Sequence, residues 1–281
     1  MFPVIQILDP RVNFKALKEA LGVLSRRRAL LLEMTRRDIV DRYAGQMLGI
    51  SWAVIAPLLM LGTYLFAFAF LFRGRLGPSD GGLGYMAYVM AGLTLWMAIS
   101  ESLTRAATAV SGNANLVKQI VFPNEILPVK TVLGTLPALL LGIFVTGIVA
   151  AFDGRLSMFG LVVKLPVAVA CGMVMLIGFA LILSAFGVFV PDVREMTSFF
   201  TGIGLFFHPI LYPPAATPEW LMPIFVASPF SHLIWCMREA LVGVSSPHSW
   251  SWLIMPASSL LIFVVGWRVF RMMKPVFGNA L

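Results

Sequence analysis

The stretch WLMPIFVASPFSHLIWCM, residues 220–237, decides how this chain is folded. It is apolar, yet Pro223 and Pro229 interrupt it. Its longest unbroken part, residues 230–237, reaches only about 12 Å at 1.5 Å per residue, short of a ~30 Å hydrocarbon layer. Around it lie longer apolar segments near 50–72, 85–104, 127–151, 162–190, 196–212 and 252–270. If 220–237 crossed as well, Arg268, Arg271 and Lys274 would lie opposite the basic N-terminal region, against the rule that basic residues stay inside. A hairpin over about 209–240 that enters and leaves on the outer side removes the conflict, leaving 16 Lys and Arg inside and 5 outside. Both chain ends are then expected in the cytoplasm. Backbone that turns within hydrocarbon survives only where protein or cavity water satisfies its polar groups, so the hairpin is expected to line a passage.

Composition agrees with a lipid solvent. Hydrophobic residues make up 59% of the chain and charged residues 12%, about half the charged share of a soluble domain. The expected fold class is all-α integral membrane, with six transmembrane helices. Residues 1–49 form a cytoplasmic or interfacial N-terminal region and 50–275 the transmembrane domain. The first 40 residues carry charges throughout, so no removable leader is expected. Over 14–32, Phe14, Leu17, Leu21 and Leu24 recur at helical spacing among Lys15, Lys18 and the run Arg26 to Arg28, the pattern of a helix lying in the interface and drawn to anionic membrane lipids. The net charge of +8 is thus explained by topology and not by nucleic acid. Cys171 and Cys236 lack ligand spacing, and His208, His232 and His248 are scattered, so neither a disulfide framework nor a metal site is expected.

Several segments resemble the ABC-2 type permeases that export O-antigen, capsule and teichoic-acid polymers. The first comprises Arg37-Asp38, Arg42-Tyr43, Leu48-Gly49, Trp52 and Pro57-Leu58, leading into the first span. The second is Asn115-Leu116-Val117-Lys118 through Phe122-Pro123 to Ile126-Leu127-Pro128. Asp192-Val193-Arg194 follows, although Pro191 stands where many members carry an arginine. Pro209 with Tyr212-Pro213, then Ser228-Pro229 and His232, complete the series in the family's order.

The sequence contains no G-x-x-x-x-G-K-[ST] loop, so this chain is not expected to cradle nucleotide phosphates, and energy must come from elsewhere. The resemblance implies a homodimer of this permease with two copies of an ABC ATPase subunit that binds the ATP and magnesium. It also implies a bacterial inner-membrane location and a lipid-linked polysaccharide as cargo. An inner helix at about 113–125 would dock on the ATPase: Asn113 or Asn115 can cap it, Lys118 and Glu125 offer polar contacts, Phe122 can fill a pocket, and Pro123 ends it. An ordinary connecting loop is the plain alternative.

Sugar faces stack on aromatic rings, and Tyr64, Phe68 and Phe72 recur every four residues along the first span. The fifth span adds Phe199, Phe206 and Phe207, and in the resembled family these two spans line the channel. Aromatics also serve as lipid-facing packing, so both roles stay open. Pro209, Tyr212 and Pro213 are expected at an outer gate. Among ionisable residues, Asp38 with Arg42 and Glu101 with Arg105 have the spacing of helical ion pairs, while Arg238 and Glu239 suit either a polar substrate at the outer mouth or a solvated helix end.

Three other functions fit less well. An ABC-2 exporter of a lipid or small molecule usually has different inner motifs or a large outer domain. A membrane-embedded sugar transferase needs clustered acids or histidines, and the charges here are dispersed. An ion-coupled transporter needs carboxylates or broken helices near mid-membrane, often with internal repeats, and no acidic residue sits in mid-span.

Overall fold

The computed structural model describes residues 10–67, 82–118, 122–154, 156–211 and 217–281. Among them there is no strand, and five helical segments are long and apolar enough to cross a membrane: Gly49–Phe66, Leu83–Ala106, Ile126–Phe152, Gly160–Phe189 and Ser251–Ala280. Their principal helices are α3 (Trp52–Phe66), α4 (Gly82–Ala106), α6 and α7 (Ile126–Leu133 and Leu136–Phe152), α8 (Leu165–Phe189) and α12 (Ser251–Met273).

Apolar burial does not drive helix association within lipid, so close packing of small residues must hold the bundle. The tightest seam is α8 against α12. A Cβ added at Gly178 would stand 2.6 Å from the backbone of Ile262, and one at Gly266 would fall on the Gly178 carbonyl. Glycine on both helices lets the two backbones touch.

The N-terminal region forms two helices, α1 (Pro10–Arg26) and α2 (Arg28–Arg42), where one was expected over 14–32. The break at Arg27 lets each helix bury its own face. In α1, Ala16 and Ala20 are buried, with Leu17 and Leu24 against the cluster of Trp267 and Phe270, while Phe14 and Leu21 stay exposed. In α2, Leu31 packs with Ile126 and Val129 of α6. Arg268 donates to Asn13 at 2.9 Å, and Arg271 pairs with Glu19 at 2.5 Å. Helix α1 and the C-terminal end of α12 therefore lie at one end of the bundle, called proximal below.

The expected fifth span over 196–212 is shorter as a helix: α9 is Val193–Gly204, 12 residues, about 18 Å long. Irregular turns continue it to Leu211, whose carbonyl accepts from Tyr85 Oη at 2.8 Å, close to the distal start of α4. The segment 193–211 thus climbs the full height of α4. Next come α10 (Met222–Ala227) and α11 (Pro229–Val242), which form a pair bent by 94°. Ser228, which precedes a proline, is held extended at φ −85°, ψ 124°, and this breaks the helix. Leu221 and Phe225 cluster with Trp235 on the inside of the bend. At the bend, Phe230 stacks on Phe179 at 5.0 Å and meets Trp96 edge-on at 6.1 Å, well inside the bundle. At the far end of α11, Glu239 pairs with Lys164, just before α8 starts, at 2.5 Å. Helix α11 therefore runs from the bend inside the bundle to its distal end.

Candidate functional site

Three groups of residues are positioned by this scaffold. The first is a cavity of about 510 Å³ between α3, α4 and α9, lined by Tyr64, Trp96, Ser100, Glu101, Ser198 and Thr201 among others. Trp96 Nε1 donates to the Thr201 carbonyl at 3.0 Å and pins α9 to α4. Phe199 of α9 and Phe206 in the turn after it, 68% and 54% exposed, do not line that cavity. Neighbouring α3 buries only Leu61 and exposes Leu58, Leu59, Met60 and Phe66, so α3 and α9 flank the cavity with open apolar surface. Phe68, Phe72, Tyr212 and Pro213 lie outside the described residues.

The second group is ionic and proximal. Asp38 and Arg42 of α2 meet Glu101 and Arg105 of α4, but the closest pairs run between helices: Arg105 donates to Asp38 and Arg42 to Glu101. The pairs within each helix are looser, 3.9 Å for Arg42 with Asp38 and 3.5 Å for Arg105 with Glu101. Lys130 of α6 adds a third cation 3.6 Å from Asp38. Gly134, at the joint between α6 and α7, leaves the room required, since a Cβ there would stand 3.3 Å from Asp38 Oδ2 and 3.4 Å from Arg42 Nη2. Three helices are thereby tied by charges that local spacing assigned to two separate pairs.

The third group links α4 to α6. Here the helical part is short: a 3₁₀ turn at Ser111–Asn113 and then α5 (Ala114–Val117), in place of the helix expected to Glu125. Asn113 does not cap it, because its Nδ2 donates back to the Ala109 carbonyl at 2.8 Å. Asn115 and Lys118 are exposed, and Phe122 is half-buried at the rim of a cavity of about 630 Å³ shared with Asn124, Arg271 and Lys274. Pro123 follows in extended chain. Glu125 points inward with its side chain 1% exposed, accepting from Lys274 at 2.8 and 2.9 Å and from Arg271 at 3.0 Å. Burial alone would raise its carboxyl, but the hydrogen bonds from Lys274, its own backbone and Arg271 prevail and hold it below the usual carboxylate range. It staples the end of α12 to the start of α6.

Residues 29–242 match the sequence profile of the ABC-2 type transporter family. The chain belongs to that family. Two O-antigen export system permease proteins RfbA of Klebsiella pneumoniae resemble this ABC-2 transporter chain at 26% identity, covering 90% of it and 95% of their own length. The protein of the same description from Myxococcus xanthus is 26% identical over 186 residues, 66% of this chain and 69% of that one.

Within this ABC-2 chain, sequence reasoning missed the residue that holds the broken backbone at Pro209. Arg238 meets neither water nor an outer mouth: it is 1% exposed. It donates to the carbonyls of Tyr88 at 3.0 Å, of Ile210 at 2.5 Å and of Pro209, and its guanidinium lies 3.6 Å from the Tyr88 ring centroid. The broken backbone at Pro209 leaves carbonyls without helical donors, and a fork of five N–H groups satisfies them where water does not reach. Glu239 beside it accepts from Lys164, from Trp252 Nε1 at 3.0 Å and from the Ser246 amide at 3.3 Å. The available signal was an arginine in an apolar run, which calls for a named partner. Lys130, buried in the same way, carried that signal too.

Proposed function

We propose that this multi-pass protein is the membrane subunit of a polysaccharide exporter in the bacterial inner membrane. The proximal end, with both chain termini, faces the cytoplasm, and the chain works as a homodimer with two copies of an ABC ATPase that hold the ATP and magnesium. A lipid-linked polysaccharide moves from the inner to the outer side, and this chain performs no covalent chemistry.

What carries the reading is the near full-length similarity to O-antigen export permeases, which covers 95% of their length. Two features support it physically. The open flank of α3 and α9 beside the 510 Å³ cavity is a half-built wall that a second copy completes, with Tyr64 toward the cargo and Phe199 and Phe206 toward the neighbouring protomer or the conduit. The proximal loop with Asn115, Lys118, Phe122 and Pro123 offers an exposed ledge for the ATPase, braced from behind by Glu125. Pro209, fixed by Arg238, anchors the distal gate.

The test is complementation. Deleting the gene in a polymer-producing strain should abolish surface polysaccharide and accumulate lipid-linked polymer inside, and the wild-type chain together with its ATPase should restore export. Normal surface polymer in the deletion strain would refute the reading.

A further inference from the structure

Asp38 and Arg42 of α2 and Glu101 and Arg105 of α4 can pair in two ways with the same number of ion pairs. In this structure the two closest pairs cross between the helices. In the other arrangement each helix pairs with itself. Both helices carry the acid four residues before the base, the order that favours an ion pair within a helix. The groups for that arrangement are already facing one another: Arg42 Nη2 is 3.9 Å from Asp38 and Arg105 Nη1 is 3.5 Å from Glu101, and both nitrogens are buried with no hydrogen bond. Closing those gaps to ~2.8 Å, an ordinary charge-assisted contact, takes about 1 Å of side-chain movement. Stripping a partly buried charge of its counterion is costly, whereas exchanging the counterion costs only the difference between two paired states. Lys130 of α6, 3.6 Å from Asp38, stays with that carboxylate in both arrangements.

What the exchange releases is α2. The apolar cluster around Leu31 joins α2 to Ile126, Val129 and Leu133 of α6 and, among the described residues, includes none of α4. Packing and charge together bind α2 to α6, while the four-residue ionic cluster ties it to α4. Helix α6 starts directly after Phe122, Pro123 and Glu125, so a displacement of that ledge reaches α2 through α6. Glu101, at the other side of the cluster, lines the 510 Å³ cavity. The cluster thus stands between the ledge and the cavity, and it has two discrete arrangements, which is the property a coupling element needs.

We infer that Asp38, Arg42, Glu101 and Arg105 form an exchangeable latch: during the transport cycle each leaves its counterion on the other helix for the one four residues away on its own, and α2 parts from α4 beside the cavity. This rests on the reading of the chain as an ATPase-driven exporter. The latch is closed in this structure. Because every charge keeps a counterion when it opens, α2 is released without a bare charge being left on either helix.

The experiment uses the full permease–ATPase complex. Spin labels at Val40→Cys in α2 and Thr104→Cys in α4, in a background lacking Cys171 and Cys236, report the distance between the helices by double electron–electron resonance. With its native charges the complex should show one distance without nucleotide and a longer one with ATP and vanadate. Arg42→Glu together with Glu101→Arg keeps both pairs between the helices and leaves Asp38 to Lys130, but sets like charges four residues apart on each helix. That variant should hold the shorter distance in both conditions and lose surface polymer, with the complex recovered in normal amount. Glu101→Arg together with Arg105→Glu does the reverse: pairs within each helix survive and like charges oppose across the gap, so the longer distance should appear without nucleotide. A distance that ignores nucleotide in the native-charge complex, while that complex restores export, overturns the latch and leaves the exporter reading standing. Full export by the first variant, or the shorter distance kept by the second, contradicts the latch in the same way. A native chain that neither co-purifies with the ATPase nor restores polymer overturns both.

Discussion

Asp38 and Arg105, 67 residues apart in sequence, form a closer pair than either does with the partner four residues away on its own helix. Helix α2 is thereby locked to α4. Their side chains are 13% and 27% exposed, so removing one partner strands a largely buried charge. Asp38→Asn and Arg105→Gln should each lower the thermal stability of the detergent-solubilised protein, by about 2 kcal/mol after discounting for partial exposure. The double variant should lose clearly less than the sum of the two single losses. Strictly additive losses would mean that the pair contributes little.

Arg238 is the second test. Arg238→Met leaves the carbonyls of Pro209 and Ile210 unsatisfied, at ~1–3 kcal/mol each. The variant should accumulate poorly and export nothing. Arg238→Lys keeps the charge but cannot fork to three acceptors, so it should rescue only in part, as read by melting temperature in detergent. Wild-type stability in the lysine variant would show that charge alone matters there.

The extent to which these features were legible in sequence follows from the distance over which each is decided. Apolar runs and prolines are local, so five of the spans and the break at Ser228-Pro229 could be read directly. The fate of Arg238 depends on Tyr88, 150 residues away, and no spacing rule connects them. Likewise Asp38, Arg42, Glu101 and Arg105 were visible as a set, but i,i+4 logic pairs them within helices because it knows nothing of how α2 packs on α4 and α6. The linking helix was read too long because Asn113 suits a cap on composition, whereas its side chain turns back to Ala109.

The seam of α8 and α12 predicts a steric failure. Gly266→Leu must push the two backbones apart at their point of contact, which costs at least the ~1–3 kcal/mol of ordinary overpacking. Gly278→Leu, in open space, should be neutral by the same thermal assay.

Glu125 sets a pH dependence. Its folded-state carboxyl titrates below the ordinary value of 4.5, so its stabilisation is complete above that pH and is lost as pH falls from there toward the folded value. Unfolding midpoints of wild type should fall across that window more steeply than those of Glu125→Gln. Parallel curves would remove Glu125 from the linkage.

For the coupling ledge, Phe122→Asp should reduce co-purification of the ATPase while the permease still inserts and stays monodisperse. Tyr64→Ala should leave assembly intact and lower surface polymer at equal protein level. Full export by either variant would dismiss the role given to that residue.

The central claim is that the chain crosses an even number of times, with a hairpin open to the outside. In a background lacking Cys171 and Cys236, single cysteines are placed at the exposed positions Ser245→Cys, between α11 and α12, and Gly278→Cys, in the tail. A membrane-impermeant maleimide on intact spheroplasts should label position 245 and reach 278 only after the membrane is opened. Labelling of 278 from outside in intact spheroplasts would contradict the architecture and the direction of export built on it.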